Sequence, residues 1–201
     1  MPVDLTSAVR FDLGRGTVKM GGAGQPSVGL EERAVLLPED VLADLVAAAG
    51  PEVSAVAGRQ LGASMGKRLA DRLGGHLAVR DGSFEAVISA LAAEVSVSGF
   101  GTVRMERWGR ALVLVVEHAP RIDGGFVSAM LQGAIEAAVT NVTTTASEQQ
   151  VRCTLLSVEE RALRVLVANG RAVERVRAWL TEGVSWGEAL TRLQATPSRR
   201  E

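Results

Sequence analysis

The sequence predicts a single α+β domain in which helices pack on a twisted antiparallel four-stranded sheet. Segments with helical spacing of apolar residues alternate with two pairs of apolar strands, and a short turn joins the strands of each pair. The predicted order is helix, helix, helix, hairpin, helix, hairpin, helix, which is typical of the α+β class. The chain has 201 residues, of which 47% are hydrophobic and 22% charged, so it is long enough for one sizeable core.

The chain is predicted to divide into three segments of unequal size. Residues 1–29 are predicted to hold a short β-hairpin, turned at residues 14–16, followed by a flexible loop, because glycine is frequent there. Residues 30–194 are predicted to form the single domain. Residues 195–201 are expected to be a disordered tail.

Two helices are predicted at the start of the domain. The first covers about residues 38–49, because proline suits the first position of a helix and the acidic pair Glu39 and Asp40 complements its positive end. Gly50 and Pro51 then stop this helix and start the next, since glycine is favoured just past a helix end and proline just inside a helix start.

The second helix carries two rows of residues side by side, each with a spacing of four: an apolar row from Val53 to Leu73, predicted to be buried, and a row of small residues from Ser54 to Gly74. An interior glycine costs about 1 kcal/mol relative to alanine, so close packing of another helix must offset the small row. Two interpretations are open, a crossing within the chain and a seam between two copies. We favour a homodimer, because the charged residues leave room for only one wide buried face. The predicted interface residues are Gly58, Leu61, Gly62, Met65, Gly66 and Leu69.

Apolar spacing and turn residues predict the rest of the domain. Ser83 suits the N-cap of one helix, and Ser185 with Glu188 forms a capping box for the last one. One strand is apolar on both faces, so it is predicted to be central and covered on both sides. The predicted elements are helices over 84–96 and 125–141, a helix from about 171 and a short last helix, with strands over 102–107, over 110–118 and on both sides of Glu159 and Glu160.

The titratable residues form no recognisable catalytic or metal-binding pattern. Only His76 and His118 are available with the single thiol of Cys153, so no spacing resembles a zinc site and no cysteine–histidine pair can be assigned. Cys153 shares a strand face with apolar residues, which favours a buried inert thiol over a reactive or acylated one. We therefore expect no enzyme activity, no metal and no cofactor.

Charge and hydropathy exclude several classes of partner. The net charge is −1, and charges of both signs are interspersed, so a nucleic-acid or anionic-membrane interface is not expected. No apolar run approaches the ~20 residues of a membrane span, and the N-terminus lacks the features of a signal peptide. A single cysteine suits a reducing compartment. These features predict a cytoplasmic protein.

Five segments resemble a known family, the vinyl-4-reductase-type domain, across about residues 30–168. They are LLPEDVLADL, LGASMGKRLADRL, FEAVISALAAEVSVSGFGTVRMERWGRALVLVVEHAP, GGFVSAMLQGAIEAAV and VRCTLLSVEERALRVLV. On this resemblance the chain is a bacterial relative of the core subunits of the TRAPP vesicle-tethering complex, which share the fold. The resemblance implies a four-stranded antiparallel sheet with helices on one face, and dimerisation through the early helices.

The same resemblance implies two functions, neither of them catalytic. Some members are sensory domains for small apolar molecules, and others are scaffolds that assemble with small GTPases. Many sensory members carry cysteines in the last hairpin that suggest metal binding. Cys153 takes the first such place here, but the return strand RALRVLVA has no second cysteine, so that metal site is not expected.

We expect a non-enzymatic homodimeric adaptor that acts through protein–protein contacts, with a small GTPase as one possible partner class. The alternative is a sensor that binds a small apolar molecule between helices and sheet, although apolar residues at helical spacing are core residues by default. The candidate pocket residues are Phe84, Ile88, Phe100, Met130 and Leu131. The candidate partner surface is Trp108 with Arg107 and Arg110 at a hairpin tip, since tryptophan is enriched at binding hot spots; the alternative is that Trp108 folds back over the sheet.

Overall fold

Six helices and two antiparallel sheets make up the described part of the chain. The computed structural model describes residues 11–13, 16–20, 26–28, 32–33, 35, 37–109, 111–139 and 151–195. The helices are α1 (Glu39–Arg72), α2 (His76–Asp81), α3 (Phe84–Val97), α4 (Gly124–Val139), α5 (Gly170–Thr181) and α6 (Trp186–Ala195). The strands are β1 (Phe11–Leu13), β2 (Gly16–Met20), β3 (Pro26–Val28), β4 (Glu32–Arg33), β5 (Thr102–Trp108), β6 (Ala111–Glu117), β7 (Val151–Glu159) and β8 (Ala162–Asn169).

The main sheet has four antiparallel strands in the order β5-β6-β8-β7, built from the two predicted hairpins. β6 is central, because Leu114 pairs with Met105 on one side and with Val165 on the other. The register shifts between Leu155 and Ser157, which marks an irregularity in β7 next to β8. The α+β class and the four-stranded sheet agree with the prediction.

Helices cover both faces of the main sheet. Leu114 and Val116 of β6 face a core shared with α1, α2, α3 and α4. Val113 and Val115 point the opposite way, into a smaller core under α5 and α6. The family resemblance implied helices on one face, so that implication was wrong, whereas the prediction of a central strand covered on both sides is confirmed. Both faces are covered because β6 is an unbroken run of aliphatic residues, and exposing either face to water would be unfavourable.

α1 is interrupted at the predicted stop. Gly50 has φ +76° and ψ 169°, which lies outside the helical region and in the left-handed range that favours glycine. Ser54 is buried and donates a hydrogen bond from Oγ to the carbonyl oxygen of Val46 at 2.8 Å, so it links the two halves across the break. Helix α1 therefore consists of two helical halves, as predicted.

Local start signals are confirmed at two helices, and one short helix was missed. Ser83 Oγ accepts from the backbone N–H of Ala86 at 3.2 Å, and Ser185 Oγ accepts from that of Glu188 at 3.3 Å. The Glu188 carboxylate accepts from Arg192 instead of closing the capping box. Helix α2, which begins at His76, was not among the predicted elements.

The N-terminal hairpin belongs to a small sheet with the order β1-β2-β3-β4. Phe11 pairs with Val18 in the predicted hairpin. Strand β3 lies inside the segment that was predicted to be a loop, and its pairing of Ser27 with Arg33 extends the small sheet beyond residue 29. The turn residues 14–15 and the tail after Ala195 lie outside the described residues.

Candidate interaction surface

The row of small residues on α1 packs against the backbone of α4 in the same chain. A Cβ built on Gly58 would lie 2.5 Å from the Phe126 carbonyl oxygen, and one built on Gly62 would lie 2.7 Å from the Met130 carbonyl carbon. On α4, a Cβ at Gly133 would lie 2.9 Å from the carbonyl carbon of Arg59. Real side chains do not approach backbone this closely, so glycine on both helices permits the crossing.

This crossing corrects the predicted dimer seam. A Cβ at Gly66 would meet the backbone of α4, and Met65 and Leu69 are fully buried in the core of the single chain. Leu61 packs partly buried against the same core. The six residues therefore pack within the chain, as the alternative interpretation stated. The backbone of α4 occupies the groove along the glycines, so a second copy cannot bind there. A homodimer through another surface stays a prediction.

A row of large aliphatic side chains on α1 is exposed instead. The exposed fractions are 42% for Val41, 56% for Leu45, 60% for Val53 and 59% for Val56. Val53 had been assigned to the buried apolar row. The error has a geometric cause, because residues four apart advance by 400° and so drift about 40° per step around a helix. The apolar row is thus buried at Met65 and exposed at Val53, whereas the row beside it drifts by the same angle but stays buried against α4 from Ser54 to Ala70.

The apolar character of α1 is concentrated where the helix is exposed. By length and composition α1 could cross a membrane, since its most apolar stretch has a mean hydropathy of 1.4 and only 17% of that stretch is buried in the domain. Asp44 and Glu52 interrupt the apolar residues there. The expectation that no segment spans a membrane stays a prediction.

An open groove runs between α1 and α4 beside the exposed valines. Its floor is made of small residues, including Ala63 and Gly133, and its rim carries Arg59, Gln60 and Glu136. The full lining is Ala55, Val56, Arg59, Gln60, Ala63, Gly133, Glu136 and Ala137. Ridge and groove lie side by side on one surface, which we call the α1–α4 face: Val53 together with these eight lining residues.

Glu39 holds the start of α1 against the end of the main sheet. Its Oε1 accepts from the backbone N–H of Arg121 at 2.8 Å, and Arg161 Nη2 donates to Oε2 at 3.1 Å. The backbone hydrogen bond from Arg121, with the charge of Arg161 as a smaller cause, lowers the pKa of the Glu39 carboxyl from its usual value. These contacts position the exposed first half of α1.

A buried ionic cluster ties α1 to α3. The Glu94 side chain has no exposed surface, and its Oε2 accepts from Arg68 Nε at 2.9 Å while Oε1 accepts from Arg72 Nη2. A buried carboxylate is tolerated only when paired, and two guanidinium groups satisfy this one. The sequence gives no signal for this cluster, because nothing in the neighbours of Glu94 along the chain shows that two arginines of α1 face it.

The predicted apolar pocket is part of the core. Phe100, Met130 and Leu131 are buried, and the Phe100 ring stacks on Phe126 with the centroids 6.0 Å apart. Ile88 packs partly buried against the same cluster. The side chain of Phe84 lies outside the described residues. The described pocket residues thus fill the space between helices and sheet, and they do not line the α1–α4 face.

The predicted partner surface at the hairpin tip is partly folded back. The Trp108 ring packs edge-on against Trp186 of α6 with the centroids 5.1 Å apart, and Arg164 Cζ lies 5.1 Å from the Trp186 centroid. Trp108 keeps 37% of its surface exposed, and Arg107 is exposed. Arg110 lies outside the described residues. Trp186 packs partly buried against the smaller core, so Trp108 is folded back onto the domain as one of its two interpretations expected.

The other two titratable candidates, Cys153 and His76, are held by contacts within the fold. Cys153 is buried as expected, and burial, helped by the charge of Glu136, raises the pKa of its thiol to about 12. His76 Nδ1 lies 3.0 Å from the carbonyl oxygen of Ala138, which joins α2 to α4. Within the described ranges, no group of three or more His, Cys, Asp or Glu side chains is arranged to hold a metal ion.

Comparisons with known proteins add no family to this geometry. No family model matches the chain, and a search of the curated proteins finds no significant similarity. The resemblance to the vinyl-4-reductase-type domain therefore stays a prediction. What the structure establishes is the α+β fold and the α1–α4 face upon it.

Proposed function

We propose that this protein is a non-enzymatic homodimeric adaptor that acts through protein–protein contacts. The observation that carries the proposal is the exposure of Val41, Leu45, Val53 and Val56 along one helix. Large exposed apolar patches mark interaction sites on soluble proteins, because leaving such area in water is unfavourable. Burying it against another protein removes that area from water.

The surroundings of the titratable groups support a role without catalysis. The Glu94 carboxylate is neutralised by two arginines, and the Cys153 thiol, with a pKa of about 12, stays protonated at neutral pH. Glu39 holds the start of α1. Each of these groups has a structural partner that accounts for it.

A further protein partner completes the proposed adaptor. The resemblance to the TRAPP-type fold suggests a small GTPase as its class, and a dimer would present two equivalent copies of each remaining surface. Trp108 at the hairpin tip is a candidate contact, since more than a third of its surface is exposed.

Light scattering after size-exclusion chromatography tests the dimer. We expect the wild type to be dimeric at micromolar concentration, and Val53→Glu and Val56→Glu to be folded monomers. The matched control is Leu77→Glu on α2, where the leucine is exposed to a similar extent. Helix α2 follows the end of α1, which lies about 28 Å from Val53 along the α1 axis. A monomeric wild type, or variants as dimeric as the control, would contradict the proposal.

A further inference from the structure

We infer that two copies of this chain pack the second halves of their α1 helices antiparallel across the α1–α4 face, with a two-fold axis beside Ala55 and Val56. The inference rests on the proposed homodimer and names the surface, direction and register of its interface. Three features of the described residues carry it: shape, charge pattern and the distribution of acidic groups.

The shape of the face is complementary to itself. Val53 and Val56 form an exposed ridge, and the groove beside them has a floor of small residues such as Ala63 and Gly133. In a two-fold contact the same patch serves both copies, so the ridge of each can enter the groove of the other. Small residues let helix axes approach to the 8–10 Å typical of packed pairs.

The charge pattern selects an antiparallel arrangement. Glu52 and Arg59 are seven residues apart, so they lie on the same side of α1, about 10.5 Å apart along its axis, with Val56 between them. Both side chains are exposed, and within the described ranges neither side chain forms a hydrogen bond or an ion pair. In an antiparallel pair centred beside Val56, each Glu52 faces the other copy's Arg59. A parallel pair would place like charges together.

Acidic residues on α1 favour a protein over a lipid surface as the occupant. Glu39, Asp40 and Asp44 lie on the first half of the helix, and Glu52 lies beside the exposed valines. Membrane-surface helices carry lysine and arginine on their polar side, because cytoplasmic leaflets are anionic. The acidic residues near the exposed valines instead fit a second copy that presents Arg59.

Charge reversal at Glu52 and Arg59 tests the register in the full-length chain. Glu52→Arg and Arg59→Glu each convert two attractive pairs into two repulsive ones, and we expect the dimer dissociation constant to rise about tenfold or more in sedimentation equilibrium. An equimolar mixture of the two variants should form a heterodimer, since both of its pairs are then attractive. The double variant Glu52→Arg with Arg59→Glu should recover the wild-type constant. Circular dichroism checks that each variant remains folded.

The outcomes separate this inference from the proposed function. A dimeric wild type whose single variants dimerise equally well, or whose mixture forms no preferred heterodimer, overturns this packing and leaves the homodimeric adaptor standing. A wild type that is monomeric at every concentration overturns both. Binding of the monomer to vesicles of phosphatidylcholine and phosphatidylserine through Val53 and Val56, abolished by Val53→Glu, would replace the second copy with a lipid surface.

Discussion

Gly62 of α1 lies directly against the backbone of Met130 of α4. A Cβ at Gly62 would be 2.7 Å from the Met130 carbonyl carbon and 2.8 Å from the Ala134 nitrogen. Backbone atoms in the middle of a helix cannot yield as a flexible side chain can. This one contact decides which surface of α1 is internal, and it makes a direct prediction about stability.

Gly62→Ala is expected to lower the free energy of unfolding by about 1–3 kcal/mol, the usual range for overpacking. The control is Gly187→Ala on α6, where a Cβ would have nothing within 4 Å, so the higher helix propensity of alanine should leave stability unchanged or raise it by up to about 1 kcal/mol. Urea unfolding measures both. If the glycine row were a seam between copies, Gly62→Ala would instead give a stable monomer.

Glu94→Gln is expected to destabilise the fold by about 3 kcal/mol. The substitution removes the buried carboxylate that pairs with Arg68 and Arg72, and removing one partner of a buried ion pair is strongly unfavourable. The control is Glu188→Gln in the exposed pair with Arg192, which should change stability by about 0.5 kcal/mol or less. Equal effects of the two substitutions in chemical denaturation would show that the buried pair contributes no more than the exposed one.

Glu39 is expected to make the stability of the fold depend on pH in the acidic range. Its pKa is lower in the folded protein than its ordinary value of 4.5, chiefly through the Arg121 backbone N–H, so its contribution is present above 4.5 and is lost as the pH falls through the folded-state value. Glu39→Gln should therefore lower the melting temperature at neutral pH, and the difference from wild type should vanish in stronger acid. Thermal unfolding across pH checks this. A difference that persists unchanged in acid would contradict the ionised contact.

Cys153 is expected to be unreactive in the folded protein. Burial raises the pKa of its thiol to about 12, so almost no thiolate is present at neutral pH. A maleimide should label it only after unfolding in denaturant, which provides the internal control. The raised pKa also means that folding stability should fall as the pH rises above the ordinary thiol value of 9.0, because the unfolded chain loses that proton first. Rapid labelling of the native protein would refute this prediction.

Native mass spectrometry of freshly purified protein distinguishes the adaptor from the sensor. Met130 and Leu131 are fully buried in the core and Phe100 stacks on Phe126, so we expect a mass that corresponds to the chain alone. A co-purifying apolar molecule would favour the sensor. The site could then be located with Met130→Ala, which should reduce the bound fraction if the ligand occupies that space.

Much of the fold could be predicted because its signals are local. The aliphatic run of β6 predicts a strand buried on both faces, and Gly50 followed by Pro51 predicts the interruption of α1. The Ser83 cap starts α3 where expected. In each case the deciding chemistry is backbone geometry or apolar spacing within a few residues.

The sequence by itself determined that another segment must pack closely against the glycine row of α1, because Gly58, Gly62 and Gly66 would otherwise only weaken the helix. Only the tertiary structure decided that the segment packed against this row is α4 of the same chain. It also decided that Val53 lies in solvent and that two arginines surround Glu94. The physical reason is that a helix row specifies how closely a neighbour can approach, whereas the identity of that neighbour depends on contacts between residues far apart in the chain.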